Sequence, residues 1–431
     1  MAKVTTFTIF LCLFFLFAAN CSNNVGGEAA RAQVPGADVK AGVTSPPGPL
    51  SGGEGETAGS AAAAPDFQPA AYRTETYLPL LRDLRVALVV NQTSVLGATH
   101  LVDTLLAAGV DVRRIFAPEH GFRGAADAGA TITDGRDDRS GLPIKSLYGK
   151  SKKPSAADLA DIDVIVFDIQ DVGARFYTYI STLYYVMDAA ADHGKRVLVL
   201  DRPNPNGHYV AGPVLDPAHQ SFVGIAPLPV VHGLTVGEFA NMANGEGWLP
   251  DGKKAPLSVI PMAYYDRTRP YSLPVPPSPN LPNDLSIALY PTLCFFEGTA
   301  LSVGRGTNRQ FQLYGHPKLT YGEATFTPRP GPGSGNPKLN GETCRGVDLS
   351  GLTLTEARAF TLNYDLLVKA YRDLTDQGVP FFTRPDFFDL LAGGPGLRRM
   401  IEAGNTGPQI AASFSDQVTK FGERRQPYLL Y

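Results

Sequence analysis

Four short apolar runs in the first half of the chain each stop at a cluster of charged and amide residues, and few architectures accommodate that pattern. The runs are Val86 to Val90, Ile115 to Ala117, Val164 to Phe167 and Val197 to Leu200. They are β-branched or aliphatic and too short for amphipathic helices, so they read as buried strands. Segments between them, such as Leu101 to Ala108 and Tyr179 to Asp192, read as helices. Strands alternating with helices favour parallel pairing through right-handed crossovers, an α/β fold. A parallel sheet sets all its carboxyl ends on one edge, where such sheets bind ligands. Four polar tails would then share one crevice: Asn91-Gln92-Thr93, Glu119-His120-Gly121-Phe122-Arg123-Gly124, Asp168-Ile169-Gln170-Asp171 and Asp201-Arg202-Pro203-Asn204-Pro205.

At 431 residues, 44% hydrophobic and 18% charged, the chain is long enough for two globular domains. A first domain is expected over residues 76–225. Beyond it, residues 226–431 show less regular alternation and more Pro-Gly punctuation. Helices are expected there at Thr235 to Asn244, where Thr235 and Glu238 make a capping box, and at Thr355 to Asp376. The stripe Tyr364, Leu367, Tyr371, Leu374 on the latter is core packing. A net charge of −3 with scattered Lys and Arg supplies no basic stripe, which argues against nucleic acid as the main partner.

The amino end reads as a targeting segment over residues 1–20, with Lys3 ahead of the apolar stretch Phe7 to Phe17. It resembles a bacterial lipoprotein signal, with Cys21 as the lipid-bearing first mature residue, although Asn20 stands where Gly, Ala or Ser is usual. A cell-envelope lipoprotein facing the periplasm is the expected form, and a secreted soluble protein its rival. Residues 21–75 collapse to Ala, Gly, Pro and Ser and read as a disordered tether. Cys294 and Cys344 are compatible with either a disulfide or two buried thiols. No Cys-x-x-Cys or His/Cys spacing suggests zinc.

Among groups able to do chemistry, the string from Glu119 to Gly124 is the densest. Its flanking glycines permit a tight backbone that presents Glu119, His120 and Arg123 from a strand end. Glu119 is the group best suited to proton transfer, and an ion pair with Arg123 is the structural alternative. Asp168, at the end of an apolar run, is expected to point into the crevice. Asp171 either faces substrate or caps the next helix. Asn204 sits between two prolines that would hold it rigidly, or belongs to a stiff loop with an internal Asp-Arg pair. Asn280, Glu297 and Arg305 suit a hydrogen-bonding wall that closes the crevice from the second domain. Tyr177, Tyr179, Tyr290 and Phe296 offer aromatic faces, though most aromatics here belong to the core. No G-x-S-x-G elbow is present, and no phosphate-cradling glycine loop accompanies the carboxylates.

Taken together, Glu119 to Gly124, Ser146-Leu147-Tyr148-Gly149, Asp168 to Tyr179, Asp201 to Pro205, Pro277 to Pro282 and Glu297 to Thr307 resemble the exo-β-N-acetylmuramidase family of bacterial cell-wall recycling. The resemblance runs from about residue 77 to the carboxyl end. It implies a Rossmann-like α/β domain with a smaller α+β domain, and release of terminal N-acetylmuramic acid from the non-reducing end of peptidoglycan fragments. It further implies Glu119 as the catalytic carboxyl, with His120, Arg123, Asp168, Asp171, Arg175 and Tyr177 around the sugar. The family pattern Ala-Gly-Glu is replaced here by Ala128-Gly129-Ala130, Ala300 stands where Asn is common, and Thr292 where Gly is.

The resulting expectation is a cofactor-free, metal-free glycosidase acting on muropeptides. Glu119 serves as general acid, and Asp168 or Glu297 activates water or stabilises positive charge. Arg123, Arg175 or Arg305 pairs with the lactyl carboxylate. The rivals are a non-catalytic muropeptide-binding envelope lipoprotein, which Ala130 would suit, and a metal-dependent phosphohydrolase built on Asp168 and Asp171.

Overall fold

The computed structural model describes residues 67–123, 127, 132–149 and 151–431. The expected leader, Cys21, most of the expected tether, Gly124 and Ala130 lie outside the described residues. The strands in chain order are β1 (Arg85–Val90), β2 (Val95–Leu96), β3 (Thr99–His100), β4 (Asp111–Ala117), β5 (Gly135–Arg136), β6 (Pro143–Ser146), β7 (Val164–Asp168), β8 (Arg196–Leu200), β9 (Leu257–Ile260), β10 (Leu313–His316), β11 (Ala324–Phe326) and β12 (Cys344–Asp348).

The main sheet has seven strands in the order β5-β6-β4-β1-β7-β8-β9, parallel throughout except for the β5–β6 pair. All four apolar runs are strands of it. Period-two alternation splits their side chains between two cores. Val86, Leu88, Val90, Ile115, Val164, Val166 and Leu198 face one side, where Leu101, Val102 and Leu105 of the helix Leu101–Ala107 pack. Ala87, Val89, Phe116, Ile165, Phe167, Val197 and Val199 face the other and join the helices Tyr179–Asp192 and Val236–Gly245. A parallel sheet covered on both faces explains why the runs are continuously apolar rather than amphipathic. Fully burying a side chain such as Phe167 contributes about 2 kcal/mol, so this double cover carries much of the fold.

The second core does not stop at the sheet, for it runs on through Tyr290, Phe296 and Phe388 into a smaller part that holds the antiparallel sheet β10-β12-β11. Residue 225 is not the edge of the first part. The helix Val236–Gly245 returns the chain to the sheet, where β9 pairs with β8 through Val197 and Leu257. Thr235 and Glu238 form the expected capping box. The helix expected over Thr355 to Asp376 is two helices, Leu354–Ala359 and Asp365–Thr375, separated where Thr361 takes a left-handed φ of 48°. Of the expected stripe, Tyr364, Leu367 and Leu374 are buried and Tyr371 is half-buried against the same core.

Order begins earlier than residue 76. The Phe67 ring lies 4.7 Å from Tyr271 and 5.5 Å from Tyr265, and Arg73 Nη1 donates to Pro261 O at 2.8 Å. At the other end, Tyr431 donates its phenol to Asp201 Oδ2 at 2.8 Å and accepts Met262 N–H at 2.7 Å. Cys294 and Cys344 are free, buried thiols.

His232 is fully buried behind the sheet edge, where its Nδ1 accepts the Leu234 N–H at 3.1 Å, leaving the proton on Nε2. Burial, then the charges of Arg425 and Arg175, lowers its imidazole from the ordinary 6.5 to about 3. Between those values the unfolded chain takes a proton that the folded protein refuses, so this contribution is intact above pH 6.5 and lost as pH falls towards 3. Urea titrations should show the wild type losing about 2 kcal/mol more than His232→Gln between about pH 7 and about pH 4.5. Equal losses would remove His232 from the acid limb.

Candidate active site

Strand order reverses about β1, with β4 and β6 to one side and β7, β8 and β9 to the other, so a crevice opens beyond the carboxyl ends. A cavity of about 930 Å³ lies there. Glu119 and His120 reach it from the loop after β4, Tyr148 and Gly149 from that after β6, and Phe176 to Tyr179 from that after β7. Asn280, Tyr290, Glu297, Arg305, Lys338 and Arg384 line it from the second half. Glu119 and Arg384, more than 260 positions apart in sequence, therefore share one hollow.

Pro118 to Gly121 form a tight turn directly after β4, closed by Gly121 N–H to Pro118 O at 3.0 Å. His120 adopts a left-handed φ of 67° within it, a strained state of the kind that clusters at functional loops. The turn aims Glu119 at the head of the helix Tyr179–Asp192, where its Oε2 accepts the Thr178 hydroxyl at 2.6 Å. Tyr148 bonds the same carboxylate, and burial followed by the Glu119 charge raises its phenol far above the ordinary value. It stays a protonated donor. Two neighbours thus fix the orientation of Glu119.

The opposite wall is built on the turn Cys294–Gly298. Glu297 Oε1 accepts Arg305 Nε at 2.5 Å, and the Arg305 guanidinium lies 5.0 Å from the Phe311 ring centre. Lys338 Nζ donates to Thr299 O at 2.5 Å, Phe296 O at 3.0 Å and Glu297 O at 3.4 Å, which pins that turn. Asn280 is 1% exposed. Its Nδ2 donates to Gly333 O at 2.7 Å, while its Oδ1 has no partner. Gly333 is required there, because a Cβ would stand 2.5 Å from Pro279 Cβ. The floor is aromatic, with Tyr177 4.9 Å from Tyr179 and 5.9 Å from Tyr290. Both Tyr177 and Tyr179 donate to Pro277 O, at 2.8 and 3.2 Å.

The other expected site residues lie elsewhere. Asp168 is fully buried and gives both carboxylate oxygens to Arg202, Oδ1 to Nε at 2.5 Å and Oδ2 to Nη2 at 2.8 Å, so it does not reach the hollow. Asp171 turns inward to accept Gly173 N–H at 2.7 Å, and burial raises its carboxyl to about 7. It neither faces the hollow nor caps the helix, which starts from Thr178. Arg175 is a buried strut that donates to the carbonyls of Pro213, Leu228 and Leu391 at 2.8, 2.6 and 2.8 Å. Asn204 donates to Leu234 O at 2.8 Å and fills the space that a Cβ on Gly173 would need. Arg123 pairs with Asp137 and stacks 4.5 Å from Phe122.

Sequence reasoning missed Tyr148, Thr178, Asp127, Lys152, Lys338 and Arg384 as lining groups. Asp127 accepts Gly335 N–H at 2.6 Å, joining two loops over the hollow. Tyr148 had a usable signal, since it follows a strand end as Glu119 does. Lys338 and Arg384 sit outside any strand and carry none. No group of three or more His, Cys, Asp or Glu suited to a metal occurs among the described residues.

Residues 86–285 match the family model described as exo-beta-N-acetylmuramidase NamZ, N-terminal, and residues 288–431 match its C-terminal counterpart. The chain is 36% identical over 379 residues to a peptidoglycan beta-N-acetylmuramidase NamZ of Bacillus subtilis, covering 82% of this chain and 89% of that protein. Among solved structures, a DUF1343 family protein from Bacteroides fragilis matches with a TM-score of 0.79 and 45% identity, over 85% of this chain and 99% of that one. A second such protein from the same organism gives a TM-score of 0.70 at 29% identity, with the same coverage.

The pairing of Asp168 predicts a stability phenotype. Asp168→Asn strands a buried guanidinium and should cost about 3–5 kcal/mol in urea unfolding, while the double change Asp168→Leu with Arg202→Met should recover much of it. A variant with wild-type stability but no activity would return Asp168 to the chemistry.

Proposed function

The chain belongs to the NamZ exo-β-N-acetylmuramidase family, and on that premise we infer that it hydrolyses the bond linking a terminal, non-reducing N-acetylmuramic acid to the rest of a peptidoglycan fragment. The observation that carries the reading is the convergence of Glu119 and Glu297 with Asn280 and Arg305 on one hollow large enough for sugar units. Asp168 was the other candidate for second carboxylate, and its bond to Arg202 leaves that role to Glu297.

Glu119 protonates the glycosidic oxygen as the C1–O bond breaks, so the leaving sugar departs as a neutral alcohol. Tyr148 and Thr178 hold it in place for that transfer. Glu297 faces the positive charge that develops at the ring, or takes the proton of the water that adds to C1. Its bond to Arg305 keeps it oriented. Asn280 braces the wall of the hollow through its bond to Gly333 O. Tyr177, Tyr179 and Tyr290 offer the flat apolar surface against which a sugar ring packs.

Glu119→Gln should lower kcat on a chromogenic β-N-acetylmuramide by about a hundredfold or more. Unchanged turnover would remove Glu119 from the acid role. An envelope address fits this reading: the apolar stretch Phe7 to Phe17 followed by Cys21 suits export and lipid attachment, and an enzyme held there would meet muropeptides. Cys21→Ser should move the protein from the membrane fraction to the soluble fraction of a cell lysate. Retention in the membrane would exclude that cysteine as the anchor.

A further inference from the structure

Positive charge outweighs negative at the Glu297 end of the hollow. Arg305, Lys338 and Arg384 all line it, around one Glu297 carboxylate. One oxygen of that carboxylate, Oε1, accepts Arg305 Nε. The three protons of Lys338 go to the carbonyls of Phe296, Glu297 and Thr299. Arg384 is different. Its backbone N–H bonds Gly298 O at 3.0 Å, which fixes it beside the same turn, and its guanidinium carbon lies 4.2 Å from the Phe387 ring centre. Among the described residues, no side-chain hydrogen bond or ion pair engages that guanidinium.

A planar fork of donors, stacked on an aromatic ring and lacking a carboxylate, is preorganised for a two-bond contact with an incoming one. Burial lowers the Lys338 ammonium to about 8 against the pull of Glu297, and the charges of Arg384 and Arg305 push the same way. These cations therefore interact across the hollow, and an anion among them relieves the repulsion. Arg123 and Arg175 are spent on Asp137 and on main-chain carbonyls, and Arg305 is held by the Glu297 carboxylate.

Resting on the muramidase reading, we propose that Arg384 binds the lactyl carboxylate of the terminal N-acetylmuramic acid and so selects muramic acid over N-acetylglucosamine. The two sugars differ only by the lactyl ether on O3. Neither the aromatic floor nor Asn280 can tell them apart by charge, whereas a site built for a carboxylate rejects a ligand that leaves its donors unpaired.

The test uses one chromogenic leaving group on β-N-acetylmuramide and on its lactyl methyl ester, whose carboxylate is masked. In Arg384→Gln the acid-to-ester ratio of kcat/KM should fall about tenfold to a hundredfold, mainly through KM on the acid. Arg384→Lys should restore part of it, because a point charge remains without the fork. Equal losses on acid and ester, or an unmoved ratio, would overturn this assignment and leave the glycosidase reading standing. Absence of wild-type turnover on the acid would overturn the glycosidase reading instead. Calorimetry then decides the carboxylate site alone: it requires that wild type bind free N-acetylmuramic acid more tightly than N-acetylglucosamine and that Arg384→Gln lose the difference. Equal binding by wild type would sink it.

Discussion

Asp168 and Arg202 meet as a two-bond ion pair at the carboxyl edge of the sheet, with 0% and 4% of their side chains exposed, and the site takes its place around that contact. The pair ties the end of β7 to the end of β8. The Ser94 hydroxyl bonds Asp168 O, and Gln170 N–H bonds the Thr93 hydroxyl at 3.0 Å, which draws the β1 end into the same knot. Two charges so deep in the protein are tolerated only because each satisfies the other. Thr93, Ser94, Asp168, Gln170 and Arg202 at the β1, β7 and β8 ends are thus bonded among themselves. Carboxylates and hydroxyls left for a ligand come from the β4 and β6 ends and from the turn beyond β7.

The far wall depends on a second set of long-range bonds. Arg175 spans from the β7 loop to Leu391 O, and Asn206 Nδ2 joins Val172 O at 2.9 Å to Ile287 O at 3.1 Å. Tyr177 and Tyr179 grip Pro277, just ahead of Asn280. Through these contacts Asn280, Glu297 and Arg305 become a fixed surface opposite Glu119. Groups on a rigid, shared core are oriented before substrate arrives, and that preorganisation is the main resource of a site built from side chains.

Much of the fold was legible. The four apolar runs are central strands because continuous β-branched stretches can be buried on both faces only inside a parallel sheet, and the helices Leu101–Ala107 and Tyr179–Asp192 fall between them. β9 was missed because Leu257–Ile260 is short, alternates in burial and sits among prolines. Phe67 to Glu75 read as tether because the residues that order them, Tyr265, Tyr271 and Pro261, lie almost 200 positions away. The break at Thr361 has no Gly or Pro; the Thr292 hydroxyl, some 70 positions away, donates to Thr361 O at 3.1 Å and accepts Asn363 N–H at 3.0 Å there.

Sequence alone determined the four central strands, the edge on which a ligand site must lie, and Glu119 as the carboxyl presented from a strand-end turn, since these follow from local periodicity and backbone chemistry. Only tertiary structure decided which strand-end groups face solvent. Asp168, Asp171, Arg175 and Asn204 are polar residues at or after strand ends, as Glu119 is, yet each finds a partner inside the protein. Asp171 is held by its own turn through Gly173 N–H, but for Asp168, Arg175 and Asn204 the outcome rests on a matching donor or acceptor, tens to hundreds of residues away, arriving within hydrogen-bond reach. Side-chain direction at a strand end is set by that long-range pairing, and no local pattern encodes it.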